Sequence, residues 1–303
     1  MNSHSLLFFT IRRDGVAMEF CSAQSLKRRA LLKLCKATAS TLPTAPLRCI
    51  LPAWPLAQQL QHLDWCQQVL PTPHSLTSFG YLPLQQAQLA SMLHPTFGPS
   101  LLGLVHASQS FDWQDVQQWP AGAIAIDSQW QAFRREGKAG TWLDCQQQVF
   151  DVASQQLLLK ASSRYLTRQS WLQPLALANR VEPPTFADAP WSVMAQCTLR
   201  VSQGRRYAAL SGDWNPIHLA HSVARWFGQP KALVHGAALV SLLESVMPTP
   251  LQHCRIQFLK PVHYDLPIEF GCCSPSHWQV RQANIPCITL AIAPAGSQDD
   301  PLV

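Results

Sequence analysis

Charge is scarce in this sequence. Lys, Arg, Asp and Glu make up 13% of the 303 residues against 47% apolar residues, a balance that excludes a solvated, disordered chain and suits one that fills a core. The basic excess of six charges (23 Lys and Arg against 17 Asp and Glu) is spread thinly. No basic run is interleaved with aromatics, so nucleic acid is not an expected partner. Long apolar runs are missing too: Arg12 and Arg13 end the stretch at 6–11, and Lys33 and Lys36 interrupt the one that follows Ala30. Neither reads as a secretory signal and neither can span a bilayer, so a cytoplasmic location is expected, with Met18 an alternative start. There is no G-x-G-x-x-G, P-loop or G-x-S-x-G, which removes the usual grounds for nucleotide binding and serine hydrolysis. The ten cysteines contain no C-x-x-C pair and have no histidine at zinc-finger spacing. They read as reduced thiols acting as small apolar side chains, with no metal site expected.

Proline, by contrast, is plentiful at 24 residues, and it marks boundaries. Residues 1–45 read as a leader with one short basic helix. Residues 46–174 form a first domain of short apolar segments at strand spacing (101–105, 123–126, 149–159), with a short helix at 85–93. Residues 175–190 have linker composition. In the second domain, 191–303, a strand at 192–199 is followed by a helix at 203–210, a loop, a helix at about 220–227 and a long apolar helix from Gly236 to Met247 that Pro248 stops. Strands then follow at 254–259, 267–273, 278–283 and 287–293. A long apolar helix ahead of a run of antiparallel-looking strands is the order of a sheet wrapped around a buried helix, an α+β architecture.

Two blocks carry the chemistry. The first runs from Tyr207 through Ser211-Gly212-Asp213-Trp214-Asn215-Pro216-Ile217 to His218. Gly212 and Pro216 force a non-helical turn, and across it a carboxylate and an imidazole can converge on one water molecule, the pairing general acid–base chemistry requires. Burial against Leu210, Trp214 and Ile217 is expected to bring both pKa values toward neutrality. The same residues also read as ordinary turn formers, with His218 a core histidine. The second block, Leu233-Val234-His235-Gly236 and the helix behind it, weighs against that. A glycine opening a helix leaves its N–H free at the positive end of the helix dipole, ready for an oxyanion; alternatively it is a glycine kept for helix packing.

Together the blocks resemble the MaoC-like (R)-specific enoyl-thioester hydratase/dehydratase family, and the segment 256–267 resembles that family's following strand and turn. The clear resemblance covers about 203–270. It implies a double hot-dog fold, each half an antiparallel sheet around a central helix, with a catalytic second half and a degenerate first half that leaves room for a long acyl chain. It implies reversible hydration of trans-2-enoyl thioesters to (R)-3-hydroxyacyl thioesters, with no metal or organic cofactor because the thioester itself acidifies C2. By position, Asp213 and His218 match the water-holding pair, the Gly236 N–H the oxyanion donor, and Asn215 the residue that orients the loop. Ser241 matches a polar residue near the Asp, or is a helix serine bonding its own backbone. Tyr207 and His235 are supporting motif residues. The carrier is coenzyme A or acyl carrier protein, with Arg225, Lys231 and Lys260 flanking the motifs as phosphate partners or solvated surface, and pairing into a homodimer is an option. His106 reads as structural. The chain departs from the family in lacking an Asp at 219–222 and in having Ala237 in place of a frequent Met. Two alternatives stay open, a hot-dog thioesterase and a catalytically retired acyl-thioester-binding subunit.

Overall fold

Strands dominate the chain because short segments alternate inward and outward residues, and two stretches without that alternation become the buried helices they wrap. The structure, a computed structural model, describes residues 17–19, 41–52, 56–71, 80–101, 103–114, 120, 122–135, 140–167, 175–178, 190–248 and 250–292. The first half contains β1 (Ala17–Glu19), β2 (Leu47–Leu51), α1 (Leu56–Val69), α2 (Tyr81–Met92), β3 (Val105–Trp113), β4 (Ile124–Arg135), β5 (Thr141–Asp151), β6 (Leu157–Thr167) and β7 (Ala176–Ala178). The second contains β8 (Ser192–Thr198), α3 (Val201–Ser211), a 3-10 turn (Pro216–His218), α4 (His221–Trp226), α5 (Gly236–Ser245), β9 (His253–Phe258), β10 (Pro267–Ser274), β11 (His277–Gln282) and β12 (Ile285–Ile292).

All these strands join one sheet in the order β1-β2-β4-β5-β6-β3-β9-β12-β11-β10-β8, with β7 beside β4. Two copies of one topology lie within it. β2, β3, β4, β5 and β6 take the places in the first half that β8, β9, β10, β11 and β12 take in the second. The copies meet edge to edge where β3 pairs antiparallel with β9, from Ser108–Gln257 to Asp112–His253. A duplication absent from the sequence is therefore present in the chain's path. Each copy packs a helix on its sheet: α2 against β2 and β4, α5 against β10 and β11.

The helices differ in what they bury. Every residue of α5 from Ala237 to Ser245 is buried, and its Ala, Leu and Val side chains join a core cluster that runs through both halves. The inward face of α2 includes Gln88 and Ser91. Ser91 Oγ accepts a hydrogen bond from Trp130 Nε1 (2.9 Å), and Gln88 Oε1 accepts one from the Tyr165 hydroxyl (2.8 Å). Nearby, Asp144 and Arg164 lie directly opposite one another on β5 and β6 and form a buried two-bond ion pair (2.6 and 2.9 Å).

The helices and strands of the second half deviate by only a few residues from their expected positions, whereas in the first half the strand expected at 149–159 is the end of β5, the turn after it and the start of β6, and of 101–105 only Val105 belongs to a strand. α5 ends at Ser245 rather than Met247, and Val246 and Met247 close a turn directly after it. Ala17–Glu19, expected within a leader, pairs parallel with β2, and Ala176–Ala178, expected within a linker, pairs parallel with β4. The basic helix expected in 1–45 and most of the linker lie outside the described residues. Helix α1 was not anticipated. Its buried His62, Trp65 and Cys66, with Leu70 just past its end, follow helical spacing, but three of the four are not aliphatic and Leu60 faces solvent. Among the described residues no helix is long and apolar enough to cross a membrane.

Close backbone approach sets one tight constraint. A Cβ on Gly271 would lie 2.0 Å from the Ser192 carbonyl oxygen, where the β8–β10 register shifts. Gly271→Ala should therefore destabilise the protein by about 1–3 kcal/mol, read as a lowered urea midpoint at unchanged slope; an unchanged midpoint would show that this edge is not tightly packed.

Candidate active site

The site begins where α3 stops. Gly212 adopts φ 77° and its N–H bonds the Ala208 carbonyl, a left-handed cap that a side chain would strain. The chain then folds on its own side chains. Asp213 Oδ1 accepts the Asn215 N–H (3.1 Å), and Asn215 Oδ1 accepts the Ile217 N–H (3.3 Å), which caps the turn that presents His218. The His218 Nδ1–H donates to the Leu233 carbonyl (2.9 Å), so its hydrogen sits on Nδ1 and Nε2 keeps a free lone pair. The Leu233 N–H in turn bonds the Ile217 carbonyl (3.1 Å), tying the loop to the segment that leads into α5.

His235, the residue before α5, is buried and braces this loop from below. Its Nε2–H donates to the Asp213 carbonyl (3.1 Å), its Nδ1 accepts from the Tyr264 hydroxyl (3.3 Å), and its ring stacks on His218 with centroids 4.2 Å apart. Tyr264 in turn needs Gly204 of α3, where a Cβ would fall 1.9 Å from the phenol oxygen. Gly236 opens α5 and is partly exposed. Its neighbour is the Phe258 ring, 2.8 Å from where a Cβ would stand. Packing therefore requires a glycine here, and its unpaired first-turn position also suits an oxyanion.

Charge follows from these neighbours. Burial raises the Asp213 pKa, but His218, His235, the Asn215 N–H and His106 pull it down, and it ends below the ordinary carboxylate range. The expected drift toward neutrality is thus reversed for Asp213: its neighbours, His218 foremost, outweigh desolvation and the carboxylate is held ionised. Burial, helped by His218, pushes His235 down to about 3 against the pull of Asp213, so it is a neutral brace. Among the described residues, Asp213, His218 and His235 present ligand atoms within 4.8 Å of one another. Both His235 nitrogens are already engaged, however, which leaves two ligands where a protein zinc site uses at least three.

Asp213, His218, Asn215, His235 and Gly236 are thus brought together. Tyr207 is fully buried beneath them, its ring 5.2 Å from His235 and 4.9 Å from Trp65, and its hydroxyl bonds none of the described residues. Ser241 is placed differently from its expected neighbourhood by Asp213: its hydroxyl donates to the Ala237 carbonyl (3.1 Å) and meets His62 Nε2 (3.1 Å), one turn along α5. Arg225 and Lys260 are exposed, and Lys231 Nζ donates to the Asp265 carbonyl (3.3 Å). Sequence reasoning overlooked Tyr264 and His62. Only Tyr264 lay inside a motif block, and a phenol in a strand-and-turn segment gives no sign of its partner.

Comparison with known proteins places the motif. The MaoC like domain model matches residues 186–268, a span that includes the Asp213–His218 loop, His235, Gly236 and Tyr264. The chain carries a MaoC-like domain. A curated relative, 3-hydroxyacyl-thioester dehydratase X of Mycobacterium tuberculosis, is 40% identical over 96 residues, covering 30% of this chain; the chain spans 34% of that relative's length. The crystal structure of HtdX from the same organism has a TM-score of 0.61 at 16% identity, covering 80% of this chain and 98% of that one. A further M. tuberculosis protein, described as having a double hotdog fold, has a TM-score of 0.50 at 13% identity, covering 80% and 93%. The duplicated topology around the MaoC-like domain is accordingly a double hot-dog.

Two buried imidazoles link the site to stability. His235 is held down to about 3 and His106 to about 4, both chiefly by burial, whereas an unfolded histidine titrates near ~6.5. Below that value the unfolded chain takes up protons that the folded chain refuses, so stability is complete above pH ~6.5 and falls as pH drops toward the folded values. The thermal midpoint should decline steadily from pH 7 to pH 5, with a shallower slope in His235→Gln; a flat profile would contradict the neutral, buried state of these rings.

Proposed function

We propose that this protein is a hydro-lyase that interconverts trans-2-enoyl and (R)-3-hydroxyacyl thioesters. The observation that carries this reading is the convergence of an ionised Asp213 with the free Nε2 of His218 beside the partly exposed start of α5 at Gly236. The curated relative, named as a 3-hydroxyacyl-thioester dehydratase, supports it.

Hydration runs as follows. A water molecule is hydrogen-bonded between the Asp213 carboxylate and His218 Nε2, while the thioester carbonyl points at the Gly236 N–H. As the water oxygen bonds to C3, the pair accepts one of its protons and a proton is delivered to C2. The elements of water thus add across the double bond and the pair ends as it began. Charge that builds on the thioester oxygen is met by the N–H at the helix start, a kind of donor whose loss costs roughly 3 kcal/mol of transition-state stabilisation. Asn215 keeps the carboxylate and imidazole in register, and the His235–Tyr264 brace keeps the loop from collapsing into the core. The reaction needs no metal or organic cofactor.

In this reading residues 191–303 are the catalytic unit and 46–174, which lack a D-x-N-P-x-H sequence, form the unit that accompanies it, giving one active site per chain. The carrier is coenzyme A or an acyl carrier protein, with the exposed Arg225 and Lys260 available to phosphates, and two chains pair as a homodimer. Asp213→Asn and His218→Gln should each lower kcat for enoyl-CoA hydration at least about 100-fold with an unchanged circular dichroism spectrum. Loss of ultraviolet absorbance of the conjugated thioester reports the rate. Wild-type rates in both variants would sink the mechanism, release of free thiol would indicate a thioesterase instead, and tight binding without turnover a retired subunit.

A further inference from the structure

The connection between the two blocks of the site, residues 219–235, carries the most exposed large apolar side chain among the described residues. Trp226, the last residue of α4, is 86% exposed, and Phe227 after it 44%. Arg225 before them is exposed as well. Nothing walls this corner in, and a Cβ on Gly228 would meet no atom within 4 Å. Its frame is nonetheless braced. Ala224 is fully buried, the Gly228 and Gln229 N–H groups donate to the Arg225 and Ala224 carbonyls (3.0 Å each), and the Gln229 side chain meets His263 Nε2 (3.2 Å). At the other end of α4, His221 accepts the Ala232 N–H (3.0 Å) and pairs with Asp265 (3.1 Å). The helix also packs on the 3-10 turn that presents His218. Two aromatic rings are thus held out in water by a frame tied to the catalytic loop.

Exposed aromatics rimmed by polar groups mark interaction surfaces. Small-molecule sites are concave, whereas Trp and Arg are the residues that most often anchor one protein on another. A projecting indole next to an arginine therefore fits the cleft of a protein partner. The surrounding charge defines that partner. From 200 to 231 the chain carries Arg200, Arg205, Arg206, Arg225 and Lys231 against Asp213 alone, and Asp213 belongs to the site. Arg205 Nε donates to the Leu219 carbonyl (3.1 Å), at the entry to α4. The Asp265 N–H bonds the Leu199 carbonyl (2.8 Å) and its own carbonyl accepts from Lys231 (3.3 Å), which brings Arg200 and Lys231 to the His221 end of the same helix. Cations outnumber anions around α4, so the complementary surface is acidic.

We propose that the Arg225–Trp226–Phe227 corner is the docking surface for an acidic acyl carrier protein, which makes that protein, rather than coenzyme A, the favoured carrier. This rests on the acyl-thioester reading above and names its carrier. The pantetheine arm common to both carriers has about thirteen bonds from sulfur to phosphorus, roughly 15 Å when extended. Trp226 lies no more than about 20 Å from His218, at ~3.8 Å per loop residue and ~1.5 Å per helical residue. A protein that holds the far end of the arm is therefore within reach of the corner while its thioester enters the site.

Hydration of crotonyl thioesters by the full chain tests this, with the source organism's own acyl carrier protein and with coenzyme A as carriers. Wild-type kcat/KM should be at least about tenfold higher on the carrier protein and should fall as salt is raised. Trp226→Ala, at an exposed position, should lower kcat/KM on the carrier protein about tenfold, chiefly through KM, and leave the coenzyme A thioester unchanged. Arg225→Glu should lower the carrier-protein value too and flatten its salt dependence. A wild-type preference for coenzyme A, equal losses on both thioesters in Trp226→Ala, or no loss on either would each overturn the proposal. So would binding to phosphatidylglycerol vesicles that Trp226→Ala abolishes while carrier kinetics stay intact, since the corner would then be a lipid contact. If the wild type hydrates neither thioester, the acyl-thioester reading fails and the surface with it. If it hydrates crotonyl-CoA and Trp226→Ala leaves the ratio between carriers as it was, only the docking surface falls.

Discussion

The pairing of β3 with β9 is the constraint on which the rest depends. Without it each half would present an open strand edge, a row of unpaired N–H and C=O groups that invites wrong partners. With it, the two copies of one topology become a single sheet whose core cluster runs through both. The far end of the seam is fastened by His253 and Asp112, 2.6 Å apart. Its near end leads into His106 and Phe258, so the same ladder that closes the sheet sets the first half's side chains against the start of α5.

Within that frame the loop is held by few but directional contacts. His235 is bonded at both nitrogens and stacked on His218, which fixes the loop's height above α5 while leaving His218 Nε2 free. Desolvation holds the His235 pKa down against the pull of Asp213. Preorganisation of this kind costs folding stability and is returned as groups already aligned where charge develops. The same economy explains the glycines. Gly204 admits the Tyr264 hydroxyl, Gly212 supplies a left-handed cap, and Gly236 admits the Phe258 ring.

Duplication supplied two sheet-wrapped helices, and their chemistry then diverged. α5 starts at the site and is apolar apart from Ser241, Glu244 and Ser245. α2 carries Gln88 and Ser91 into hydrogen-bonded contacts with residues of β4 and β6. A buried network of this kind is stable when nearly every member is satisfied. Helix α1 strengthens the link between the halves, since Trp65 Nε1 donates to the Gln203 carbonyl of α3 (3.0 Å) and His62 meets Ser241 of α5.

The sequence by itself determined what local chemistry controls. Gly212, Asn215 and Pro216 dictate the turn between α3 and the 3-10 segment, so the placement of Asp213 near His218 was legible from residues 212–218 alone. The apolar run after Gly236 dictates a buried helix, and alternation dictates the strands of the second half, each to within a few residues. What only the tertiary structure decided involves partners far apart in the chain. The seam joins residues 108–112 to 253–257, the Tyr264 hydroxyl is 29 residues from His235, and Ser241 meets His62 across 179. The charge state of Asp213 belongs to the same class. Turn composition pointed to burial, which raises a carboxylate pKa, but the outcome was set by His218, His235 and His106, of which two come from outside the turn. Electrostatic and packing terms act through space, and a sequence lists neighbours only along the chain.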